Sequence, residues 1–70
     1  PGHMILVCQV LSKDLLECQK SLNDKGVFSY AVEVGGGRRI WPPLENYEGL
    51  YCVYVGKDSD RERAEEVLFP

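Results

Sequence analysis

Residues 4 to 11, MILVCQVL, are apolar at every position except Gln9, and a run of that length without alternation predicts a β-strand with both faces covered. The spacing then changes. Leu11, Leu15, Cys18 and Leu22 recur at helical intervals, with Ser12 placed to cap the N-terminus, Asp14 in the first turn and Lys25-Gly26 at the close. This is the pattern of an amphipathic helix of about three turns. From Val27 to Val34 the period becomes two. Phe28, Tyr30, Val32 and Val34 share one side and Ser29, Ala31 and Glu33 the other, so one side of this second strand is expected to face water. GLYCVYVG, 49 to 56, is again apolar without alternation and predicts a central strand. In DSDRERAEEVLF, Ser59 and Glu62 stand at capping-box spacing while Ala64, Val67 and Leu68 form one stripe, predicting a second helix with an acidic, solvated outer face.

The order β-α-β-β-α, with crossover rules and a short-range pairing of the second and third strands, predicts a split β-α-β sheet in spatial order 2-3-1 with both helices on one face. The expected class is α+β, a ferredoxin-like unit without its fourth strand. That places the first strand at an edge. An edge so apolar invites another chain, and self-association or strand addition along residues 4 to 11 is the expectation.

Seventy residues make one domain at most, with a small core and a thin stability margin. Pro1-Gly2-His3 ahead of Met4 reads as an expression-tag remnant, leaving 4–70 as the domain. Removing His3, the only histidine, leaves no imidazole for acid-base work or metal ligation. Cys8, Cys18 and Cys52 are odd in number and lack C-x-x-C spacing, which fits buried free thiols in a reducing, cytoplasmic compartment. No apolar run is long enough to span a bilayer. A net charge of −3, with the basic residues dispersed, argues against a nucleic-acid surface, although Tyr30, Tyr51 and Tyr54 could stack bases from a sheet.

The succession of an apolar strand, SKDLLECQKSLNDKGV, a strand ending in a Gly-rich connection, and YCVYVGKDSDRERAEEVL resembles the small P-II-like (GlnB-like) signalling domains grouped as putative signal-transducing proteins. The resemblance covers nearly all of 4–70. It implies a ferredoxin-like fold, a regulatory rather than catalytic role, and a partner-contacting loop between the second and third strands. The final strand and the basic nucleotide contacts of P-II proteins have no counterpart here, so no nucleotide cofactor is carried over.

That loop, GGGRRIWPPLENYEG, holds the only Trp and the only adjacent Arg pair. Gly36 and Gly37 permit close backbone approach, Arg38 and Arg39 offer forks suited to phosphate or carboxylate, and Trp41 with Leu44, stiffened by Pro42-Pro43, could anchor a protein interface. Trp41 could equally fold over an open sheet face. Glu33, Glu45 and Glu48 gather around the loop, but without histidine or a nucleophile-base pair they do not make an enzyme. The sequence leads to a non-catalytic interaction module that uses the 35–49 loop to bind a partner protein or an anionic small molecule. The alternative is a dimerisation or docking domain that assembles through the first strand.

Overall fold

The computed structural model describes residues 4–34 and 49–70. Five elements follow in the expected order: β1 (Ile5–Leu11), α1 (Ser12–Asp24), β2 (Ser29–Val34), β3 (Leu50–Val55) and α2 (Asp58–Leu68). The strands form one antiparallel sheet in the order β1-β3-β2. This is the 2-3-1 arrangement expected from the sequence, with β3 central and β1 at an edge.

Two helix starts differ from expectation. Ser12 is already the first residue of α1, its cap position falls to Leu11, and its N–H donates to the Gly49 carbonyl at 2.7 Å. In α2 the cap position is Lys57, ahead of Asp58 and Ser59, and neither helix has a side-chain cap hydrogen bond. The acidic side chains Asp14, Asp58 and Asp60 in the first turns supply favourable charge against the helix dipoles instead.

The end of α1 is as the sequence requires. The chain turns at Gly26, whose φ of 76° is the left-handed conformation that glycine adopts without penalty. Val27 N–H donates to the Leu22 carbonyl and Gly26 N–H to the Asn23 carbonyl, both at 2.9 Å, which is a Schellman closure. Leu22 and Val27, the pair brought together by that closure, are among the most deeply buried side chains at 0% and 1% exposure.

The core lies between the helices and one face of the sheet. Cys18 and Leu22 from α1, Ala64 from α2, Val53 and Val55 from β3, and Val27 make its buried centre, with Ile5, Val7, Cys8, Val10, Leu15, Val67 and Leu68 packed around it. Leu11, expected on the α1 stripe, belongs to β1 and is exposed.

The faces of β1 and β2 are the main correction. Among the described residues only one face of β1 is covered, because both helices pack on the same side and Leu6 and Leu11 point away from them. In β2 the helix-covered side is Ser29, Ala31 and Glu33, and the side open to water is the apolar one. The cause is local. Val27 must point inward against Leu22, and strand periodicity then turns 29, 31 and 33 the same way. Small side chains there let α1 approach, and Gln19 Nε2 donates to Ser29 Oγ at 3.2 Å.

Candidate functional site

Gly36, Gly37, Arg38, Arg39, Trp41 and Leu44 lie outside the described residues, as do Glu45 and Glu48. What is described is where their segment is rooted. Val34 pairs with Leu50, so the chain leaves β2 and returns to β3 at one end of the sheet. Of the three loop carboxylates only Glu33 is described. It sits on the helix side of β2, with Oε2 2.8 Å from the position a Cβ on Gly49 would take.

The open face is built from three cross-strand rows. The register sets Leu6, Tyr54 and Tyr30 side by side, then Gln9, Cys52 and Val32, then Leu11, Leu50 and Val34. Eight of these nine side chains are apolar or aromatic and none carries a charge. Leu6 (48%), Tyr30 (43%), Val32 (46%) and Val34 (41%) are exposed in the absence of any covering element among the described residues. Phe28 extends the patch at the β2 edge, its ring meeting Tyr30 edge-on at 5.1 Å between centroids. The β3 row is less accessible, with Cys52 buried at 8% exposure and Leu50 and Tyr54 half-buried. The exposed apolar side chains therefore flank it on β1 and β2, and together they make a larger apolar surface than scattered single residues would.

Two polar side chains of this face converge on the Cys52 thiol. Gln9 Nε2 donates to Cys52 Sγ at 3.3 Å. The Tyr54 hydroxyl meets the same thiol, and that hydrogen bond holds the phenol above its ordinary range. The polar groups at the centre of the face are thus gathered on the Cys52 thiol. An occupant of this face would cover mainly apolar side chains, with the Tyr30 hydroxyl and the Gln9 side-chain carbonyl oxygen as the polar groups it has to meet.

Cys8 and Cys18 lie on the covered side. Burial, then the proximity of Cys18, pushes the Cys8 thiol from 9.0 up to about 11, and burial raises Cys18 as well. Such thiols are inert rather than nucleophilic. The raised value also has a stability consequence. Below pH 9 Cys8 is protonated in both folded and unfolded chains, so it contributes no pH dependence. Between pH 9 and 11 the unfolded chain releases the proton first, and the folded state loses stability as pH rises. Urea midpoints measured across that window are expected to fall more steeply for the wild type than for Cys8→Ala, and parallel curves would contradict the assignment. No group of three or more His, Cys, Asp or Glu among the described residues is placed to hold a metal ion.

A second apolar feature went unnoticed in the sequence. Leu16 is 81% exposed on α1 and lines an open groove with Gln19, Lys20 and Phe28 at the start of β2. The signal was available, since Leu16 stands one position off the Leu15, Cys18, Leu22 stripe and so projects from the side of the helix.

Among the described residues no helix is long and apolar enough to cross a membrane. Comparison of the chain with protein-family models, with curated proteins and with solved structures gives no match.

Proposed function

We propose that this protein is a non-catalytic regulatory module of ferredoxin-like, P-II-like architecture that works by holding another protein. The observation that carries the reading is the uncharged three-by-three apolar face. Its partner is a protein presenting an uncharged, apolar surface. A charged partner would find no complement on the nine face positions, and nucleic acid would find no Lys or Arg there.

The 35–49 connection is rooted at the Leu11, Leu50, Val34 end of this face. On its sequence it is assigned the second part of the contact, with Trp41 and Leu44 as apolar anchors and Gly36, Gly37, Arg38 and Arg39 as the element that would take a carboxylate or other anionic group. Three free cysteines accord with a cytoplasmic setting.

The test is affinity capture with wild type, Val32→Lys, Trp41→Ala and an Arg38→Ala/Arg39→Ala double variant side by side, followed by purification of the captured chain and titration. Val32→Lys places a charge in the middle row at an exposed position, so the fold should persist by circular dichroism while affinity falls at least tenfold. Trp41→Ala should weaken binding as well. Equal affinity for wild type and Val32→Lys, or tight binding of a single-stranded oligonucleotide instead of a protein, would overturn the reading.

A further inference from the structure

Independently of any partner on the open face, the geometry points to a second copy of this chain at the β1 edge, the two sheets joining through antiparallel β1 strands about a twofold axis. The two edges of the sheet are finished differently. At the β2 edge the helix-side residues are Ser29, Ala31 and Glu33, which tolerate water. At the β1 edge they are Ile5, Val7, Cys8 and Val10, all apolar and only half-buried, whereas Val53 and Val55 beside them on β3 are fully buried. The helix layer therefore stops short of covering β1. Val67 and Leu68 at the end of α2 are likewise half-buried, and Phe69 beyond them is 59% exposed.

Charge argues for self-pairing. ILVCQVL has no ionisable side chain other than its thiol, so two copies meet along this seam without like-charge repulsion, while the net charge of −3 per chain sits elsewhere. Lysine and proline, two of the usual protections of an edge, are absent from the strand, and a third, a bulge, is confined to its first half. Its one irregularity is the bulge between Leu6 and Cys8, which leaves Cys8–Leu11 as the regular segment for pairing.

Size sets the strength. A seven-residue strand is about 23 Å long, and a sheet plus one helix layer about 20 Å thick, giving a seam of roughly 460 Å² on each copy. The total of about 900 Å² is an upper value, because regular pairing is confined to Cys8–Leu11. It falls below the roughly 1,200 Å² of stable specific interfaces and among weak, transient ones, so the dimer should dissociate at micromolar or higher concentration.

Sedimentation velocity over a concentration series tests this, with hydrogen exchange on the same samples. A rising dimer fraction is expected, with slowed exchange at Cys8–Leu11 amides that tracks it. Leu11→Lys, at an exposed position beside the twofold, should weaken the dimer at least tenfold, and Val32→Lys, two strands away, should leave it unchanged. A strict monomer at every concentration, or a dimer sensitive to Val32→Lys but not to Leu11→Lys, would overturn the inference. Either result leaves the capture experiment on the open face standing.

Discussion

Leu22→Ala is expected to lower stability by about 3 to 5 kcal/mol, the range for truncating a fully buried leucine whose surroundings cannot collapse into the space. Leu22 is 0% exposed, touches the core from α1, and its carbonyl accepts hydrogen bonds from both Lys25 and Val27. A chain of this length has roughly 3.5 to 10 kcal/mol in total, so the variant should lose a large share of it and, at the lower end of that range, unfold at room temperature. Leu16→Ala serves as the comparison. At 81% exposure the same chemical change should move stability by no more than about 0.5 kcal/mol. Urea unfolding followed by circular dichroism measures both. A Leu22→Ala midpoint equal to that of Leu16→Ala would mean that the core is not centred where Leu22, Val27, Val53 and Val55 meet.

The second large effect is at Gly26. Alanine usually stabilises a helix relative to glycine, but at a φ of 76° it incurs about 1 to 2 kcal/mol of left-handed strain. Its methyl would also stand 3.2 Å from Arg63 Nη2, and that guanidinium donates to the Lys25 carbonyl and pairs with Asp60 at 3.6 Å. Gly26→Ala should therefore destabilise by about 1 to 2 kcal/mol, and Gly26→Asn by less, because asparagine tolerates the left-handed region better. Thermal melts of the three proteins give the ranking. An alanine variant as stable as the wild type would show that the turn can reorganise.

Much of the architecture was legible in the sequence, and the reason differs by element. Periodicity located all five elements, and LYCVYV, read as central from its lack of alternation, is the middle strand, although its Leu50, Cys52 and Tyr54 lie on the face that no described element covers. The same logic failed for MILVCQVL. A non-alternating run there reflects a bulge and an edge with an uncovered side, not burial on both faces. For β2 the alternation was seen but its sense was not. Hydrophobicity alone favours putting Tyr30, Val32 and Val34 inside. The deciding residue is Val27, whose inward position is imposed by the glycine stop three residues before Ser29 begins the strand. Capping signals were the least reliable part, as Ser12 and Ser59 lie inside helices that begin at or before them. The candidate loop could be read only as chemistry, since Arg38, Arg39 and Trp41 carry no periodic pattern that ties them to the sheet. The open face was hidden for the opposite reason: it is made of residues whose type belongs to a core.

The unpaired Val7 has a bearing on how the length of this chain can vary. Because Leu6 pairs with Tyr54 and Cys8 with Val53, the residue between them is surplus to the ladder, and the side chains before and after it already alternate correctly without it. Deleting Val7 would leave Ile5 and Cys8 on the helix side and Leu6 outward. The loss of one residue at a neighbouring position can be absorbed in the same way, by closing the bulge, so this strand can shorten by one residue without exchanging inside for outside.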